Sequence, residues 1–205
     1  MRRGKNLFKW INISLVFLLL FNPSYVTNAA IQESQSTTDI SQWSIHSGAD
    51  LLSISNEKQV EGTSSLRFEA VPDSLTDLYS AQIDVEGGKE YRVSANVNMT
   101  EQVSHSLGFY LVSYDDNGTE IDSHRQGFTA DHFPLDEWTD VSFNVGVPVN
   151  TASVRIRMYT GSVTDMVAFI DHIQLFEIES SGEQVEIPVP NGSFGEEGSV
   201  DPDDP

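Results

Sequence analysis

The segment AFIDHIQLFE, residues 168–177, decides the fold class and poses a problem of its own. Successive side chains of an extended strand point to opposite faces. On that period Phe169, Asp171, Ile173 and Leu175 share one face, and Ile170, His172, Gln174 and Phe176 share the other. The acid thus falls on the more apolar face. A lone carboxylate withdrawn from water is strongly unfavourable unless something compensates it. Asp171 therefore calls for a partner: a cation, an arginine, or a set of backbone N–H groups.

Outward from this segment the same alternation recurs. ISQWSIH, ADLLSIS, SSLRFEA, YSAQIDV, EYRVSANVNMT, SLGFYLVSYD, TEIDSHRQ, WTDVSFNVGV, ASVRIRMYT and MVAFIDHIQLFE all read as strands. EGTS, EGGK, DDNG, PLDE, VPVN and GSVT lie between them, with Gly, Pro, Asn and Asp where turns need them. No stretch sustains a 3.6-residue apolar period. About ten strands with no helix to cover a parallel sheet predict an all-β, antiparallel β-sandwich, a jelly roll. Asn117-Gly118, between two alternating runs, predicts a type I′ hairpin turn, which accounts for Asp115 and Asp116 as turn residues. The spaced acidic series of a calcium-binding helix–loop–helix is absent from the sequence.

The two ends differ from this middle. Arg2, Arg3, Lys5 and Lys9 precede an apolar run, WINISLVFLLLF, and small residues close the stretch at VTNAA. Residues 1–30 read as a secretory signal peptide cleaved after Ala29 or Ala30. The run is short of the ~20 residues that a membrane span needs. With no cysteine in the chain there is neither a lipid-attachment residue nor a disulfide framework. Beyond residue 30 the chain holds 7 basic against 31 acidic residues, a formal net charge of −24. That charge disfavours nucleic acid and anionic membrane surfaces as partners and suits neutral ligands and divalent cations. Residues 179–205 carry eight acids and no Lys or Arg, and read as an acidic linker. The sandwich is thereby bounded to residues 31–178. Within the tail, IPVPNGSFGEEG is too apolar for a solvated linker.

Taken in order, EGTSSLRFEA, GKEYRVSANV, LVSYDDNGTEI, EWTDVSFNVGVPVNTASVRIRMY and FIDHIQLFE resemble the carbohydrate-binding modules of families 4, 9 and 22, jelly rolls with a galactose-binding-like fold. The resemblance covers roughly residues 40–178 and rests on the order of the pieces rather than on any single motif. It implies a non-catalytic domain that binds β-glucan, xylan or a related polysaccharide and is joined to a secreted polysaccharide-degrading enzyme. It also implies a structural Ca²⁺ held by the aspartate of the last strand, here Asp171, together with early backbone carbonyls. Glu57, near the early loop, is a second candidate ligand. Asp171 paired with an arginine or capping a strand bulge remains the alternative. These modules open on a strand like Asn-Gly-Ser-Phe-Glu, whereas here NGSF stands at Asn191–Phe194, after the last strand. Either a second module begins there, the simpler account, or a tail strand folds back onto the first.

A sugar site needs aromatic rings for apolar C–H faces and planar polar groups for hydroxyls. Alternation sends Leu107, Phe109, Leu111, Val154, Ile156, Met158, Tyr91, Val93, Ala95 and Val97 inward. If the strands share a sheet, its outer face carries Gln82, Asn96, Tyr110, Tyr114, Arg157 and Tyr159, the candidate carbohydrate-binding set. Trp43 and Trp138 read as packing residues. The five histidines include no His-x-His or His-Glu-x-x-His pair. No Gly-x-Ser-x-Gly nucleophile motif appears either, so the reading is a binder rather than an enzyme. The alternative is an adhesion or architectural sandwich of the cell envelope without a sugar site.

Overall fold

Among the residues that the computed structural model describes (40, 42–104, 106–161 and 164–195), twelve strands carry the chain. They are β1 (Ser44–Ser47), β2 (Leu52–Ser55), β3 (Ser65–Ala70), β4 (Thr76–Tyr79), β5 (Ile83–Asp84), β6 (Glu90–Ser104), β7 (Ser106–Tyr114), β8 (Glu120–Thr129), β9 (Trp138–Gly146), β10 (Ser153–Thr160), β11 (Asp165–Ile178) and β12 (Gln184–Ile187). Every strand pairing is antiparallel. The first sheet runs β1-β4-β10-β7-β8, with β5 also on β10; the second runs β2-β3-β11-β6-β9, with β12 also on β11. The signal peptide expected over residues 1–30 lies outside the described residues.

The alternation read from the sequence becomes the interior. Leu107, Phe109 and Leu111 of β7 and Val154, Ile156 and Met158 of β10 meet Tyr91, Val93, Ala95 and Val97 of β6 from the opposite sheet in one buried cluster. Burying such side chains stabilises the fold by about 1.5–3 kcal/mol each. The fold is the antiparallel β-sandwich that the strand pattern predicts. YSAQIDV is not one strand, because Ser80 interrupts it. The Ser80 hydroxyl accepts the Ile156 N–H at 2.9 Å, taking a place a ladder carbonyl would have, and the chain resumes at β5.

The hairpin between β7 and β8 departs from the predicted turn type. Only Gly118 has positive φ there, at 74°, and Asn117 does not. A type I′ turn requires both central residues to be left-handed. Instead Asp115 organises the loop: its Oδ1 accepts the N–H groups of Asn117 and Thr119, each at 2.9 Å.

In β11 the face assignment is corrected by a bulge. Met166, Ala168 and Ile170 point into the core, and then so do Ile173 and Leu175. The register to β6 slips between Asp171 and Gln174, where His172 sits in the left-handed region at φ 49°. One extra residue in a strand inverts the phase that follows. Phe169 and Asp171 therefore lie on the side of the second sheet away from the core, opposite to Ile173 and Leu175.

The tail is also corrected. Residues 179–194 are not a solvated linker. After the Glu179–Glu183 turn, β12 pairs with β11 from Leu175↔Ile187 to Ile178↔Gln184. The chain then crosses to the start of the fold: the Trp43 Nε1–H donates to Asn191 O at 3.1 Å, and the Phe194 ring lies 5.3 Å from that of Trp43. Phe194 is part of the main core. Asn191–Phe194 thus packs onto the sandwich, the arrangement that the sequence favoured less than the opening of a second module.

Candidate functional site

The outer face of the first sheet gathers rings and guanidiniums because the strand registers align them. Across β4, β10, β7 and β8, Tyr79, Arg157, Tyr110 and Arg125 stand side by side as register partners. In the next row Asp77 pairs with Tyr159, which faces Gly108. Gly108 has a reason to lack a side chain, since a Cβ there would sit 3.2 Å from the Tyr110 ring and 3.3 Å from Arg125 Nε.

Arg157 is the centre of this face. Its guanidinium carbon lies 4.9 Å from the centres of the Tyr110 and Tyr159 rings and 5.1 Å from that of Tyr79. Its fork grips Asp77 with both arms, Nε to Oδ1 at 2.7 Å and Nη2 to Oδ2 at 2.9 Å. The hydrogen bond to Asp77 holds the Arg157 pKa above its ordinary value, against the opposing effect of burial. With its charge met by the Asp77 carboxylate, Arg157 acts as a post on which three tyrosines are fixed rather than as a hand offered to a ligand. Cation–π contacts of this kind contribute about 0.5–2 kcal/mol each, more where water is excluded.

The tyrosines differ in what they leave open. Tyr79 is buried at 9% exposure, stacked on His46 at 4.3 Å on the β1 side and covered by Arg155 at 5.2 Å. Tyr110, Tyr114 and Tyr159 remain half-exposed, and the Tyr110 and Tyr159 rings meet edge to face at 6.2 Å. Burial pushes the Tyr79 and Tyr114 hydroxyls above their usual range, so both stay protonated at neutral pH and can donate as well as accept. The outer side of the sheet offers π-faces and hydroxyls together, which suits the C–H faces and hydroxyl rims of sugar rings.

Of the six residues expected here, the structure brings Tyr110, Arg157 and Tyr159 into contact and places Tyr114 and Gln82 at one end of the same face. Gln82 Nε2 donates to Ser153 Oγ at 2.6 Å, and Ser153 is the register partner of Tyr114. Asn96 does not belong. It lies on β6 in the second sheet, paired with Asp171 and Asp140. Its outward parity was right, but parity along a strand says nothing about which sheet holds that strand. Asp77, Tyr79 and His46 are additions, and Arg125 joins the row from β8. Asp77 and Tyr79 share a parity in TDLY that would have signalled them, whereas His46 reaches the face through a register irregularity in β1. Trp43 is buried in the core, while Trp138 is half-exposed at the start of β9.

Asp171 lies on the second sheet and is fully buried. Its Oδ2 accepts the N–H groups of Val60 at 2.6 Å and Glu61 at 3.0 Å, and its Oδ1 accepts that of His172 at 2.7 Å. Burial raises its pKa, and those N–H bonds pull it partly back. Of the three partners that the sequence allows, the structure supplies backbone N–H groups. N–H dipoles present their positive ends to the oxygens that a calcium ion would share, whereas calcium asks for a shell of oxygens. Glu57 is exposed, its own N–H bonded to Ser55 Oγ. Among the described residues no group of three or more His, Asp or Glu is placed to hold a metal ion. The donor set at Asp171 therefore does not fit the ion that the resemblance implies.

No protein-family model matches the chain, and no curated protein does. Solved structures do. A family 61 carbohydrate-binding module in complex with β-1,4-galactotriose aligns at 16% identity with a TM-score of 0.50, over 69% of this chain and 92% of that one. The CBM22-1 xylan-binding domain of Paenibacillus barcinonensis Xyn10C aligns at 13% identity and 0.50, over 67% and 86%. The enzymatically active domain of bacteriophage CBA120 tailspike protein 4 aligns at 16% identity and 0.53, over 70% of this chain, which spans only 20% of it. At these identities the likeness speaks for architecture alone: the chain has the jelly-roll sandwich of carbohydrate-binding modules.

Proposed function

We propose that this chain is a secreted, non-catalytic glycan-binding module, and that the outer face of the first sheet is its polysaccharide-binding surface. The observation that carries the reading is the Tyr79–Arg157–Tyr110 row with Tyr159 beside it, held in register on the solvent side of a sandwich built like known sugar binders. The xylan-binding and galactotriose-bound structures of the same architecture support glycan chains as the ligand class. Sugar rings lie across Tyr110 and Tyr159, while Gln82 and the Tyr114 hydroxyl take hydroxyl groups at the far end. Such a module works by proximity, raising the effective concentration of substrate around an attached catalytic domain.

Affinity electrophoresis in gels containing soluble β-glucan, xylan, mannan or galactan tests this. At least one polymer is expected to retard the protein. Tyr110→Ala and Tyr159→Ala should each weaken that retardation by about tenfold, the ~1.4 kcal/mol expected for losing a stacking ring. Asn96→Ala, on the other sheet, should leave it unchanged. Retardation by none of the four polymers, or equal loss in the Asn96 variant, would remove the assignment.

A further inference from the structure

Beyond residue 30 the chain has 7 Lys and Arg against 31 Asp and Glu, so any guanidinium has acids in abundance to choose from. Lys58, Arg67, Lys89 and Arg157 each take one: Asp136, Glu69, Glu177 and Asp77. Arg125 and Arg155 do not. Among the described residues neither has a carboxylate within the 4.0 Å of an ion pair. Both stand on the face that carries the tyrosine row.

Each is nevertheless held in place, and by neutral oxygens. Arg155 Nε donates to Ser80 O at 2.7 Å and its Nη2 to Ser44 Oγ at 3.0 Å, with its guanidinium 5.2 Å from the Tyr79 ring centre. Arg125 Nη2 donates to Ser106 Oγ at 3.2 Å, with its guanidinium 6.0 Å from the Tyr110 ring centre. Fixing a cation with uncharged acceptors keeps its charge uncancelled and its geometry ready. A planar guanidinium in that state matches a carboxylate in two-pronged fashion. Arg92 also lacks a carboxylate, bonding Ser142 at 3.0 Å, but it lies on the second sheet, away from the tyrosine row.

We infer that the glycan bound on this face carries carboxylate groups, as uronate-bearing polysaccharides do, and that Arg155 and Arg125 read them at the two ends of the tyrosine row. The inference rests on the proposed glycan-binding role of the same face. The charge elsewhere on the chain narrows the class. A formal −24 beyond residue 30 repels a dense polyanion, whereas screening over about 8 Å at physiological ionic strength lets an isolated carboxylate reach a local guanidinium. The ligand is a neutral-backbone glycan with scattered acidic residues.

Matched polymer pairs test it: glucuronoxylan against the same polymer with its carboxyl groups reduced to alcohols, and carboxymethyl-cellulose against hydroxyethyl-cellulose, with neutral mannan and galactan alongside. The wild-type chain is expected to bind the charged member of at least one pair about tenfold more tightly than its neutral partner. That preference should be lost in the Arg155→Gln Arg125→Gln double variant and kept in Arg92→Gln. If Arg155→Gln alone lowers the thermal midpoint, because it also loosens Ser80, the exposed Arg125→Gln carries the comparison. Equal binding to both members of every pair, or binding to neutral polymers only, would overturn the inference and leave glycan binding standing. Binding to no polymer would remove both.

Discussion

At Asp171 a buried carboxylate is held by backbone alone, which makes its energetics testable. Asp171→Ala leaves the N–H groups of Val60, Glu61 and His172 without their acceptor. A fully buried donor left unsatisfied costs about 1–3 kcal/mol. Val60 and Glu61 are exposed residues whose N–H groups water can reach, so the three together are expected to cost roughly 2–4 kcal/mol in unfolding free energy by urea titration. The pH dependence has a definite sign. Burial raises the folded-state pKa of Asp171 above its ordinary 3.8, so the folded chain holds this proton more tightly than the unfolded one. Its contribution to stability is present below that ordinary value and declines as pH rises through the raised one. The stability gap between the wild-type chain and Asp171→Ala should be widest in acid and shrink toward neutrality. A gap that grows with pH would show that the N–H bonds outweigh desolvation. Because the donors here do not fit calcium, a chelator should leave the thermal midpoint of the wild-type chain unchanged, and a rise on adding calcium would contradict that fit.

Among the elements, the C-terminal segment contributes most that alternation alone did not foretell. Phe194 is 2% exposed in the core, and Ser64 Oγ donates to its carbonyl at 2.9 Å. Phe194→Ala is expected to destabilise the fold by about 3–5 kcal/mol. Removing residues 184–205 should lower the thermal midpoint at least as much, whereas loss of a solvated linker would do neither. The sequence carried a warning here, since IPVPNGSF is apolar inside an acidic stretch, but its composition could not say which surface it covers. The same division runs through the other elements. Alternation was enough to sort inner from outer residues in β7, in β10 and in β6 as far as Asn98, because the period is unbroken there. It failed in β11, where Ile170 and Ile173 both face the core across three positions, and only a bulge permits that spacing. It also failed for Asn96, because parity along a strand is local while membership of a sheet is decided by pairing with distant strands.

For the whole molecule the balance of charge sets the terms. With 7 cations against 31 acids beyond residue 30, self-repulsion opposes the compact state. The ion pairs are few and partly exposed, such as Lys58–Asp136 at 3.2 Å with side-chain exposures of 28% and 70%, so salt has little of that kind to weaken. Raising sodium chloride from 10 to 200 mM shortens the screening length from about 30 to about 7 Å. The thermal midpoint is therefore expected to climb with salt. A midpoint that falls would mean that paired charges, rather than like charges, dominate.

One contact has a mechanical corollary. Trp43 and Asn191 touch near opposite ends of the described chain, so force applied between those ends enters the molecule at a single corner. Beyond that corner, β12 lies antiparallel to β11 with its open end at Ile187↔Leu175, a zipper that yields one rung at a time instead of all rungs in shear. In an optical trap the C-terminal ribbon should peel away before the two layers behind it separate, once Phe194 has been drawn from the core. A chain tethered at both ends to something heavier would thus have a built-in slack of some dozen residues before its tyrosine-bearing face felt any strain.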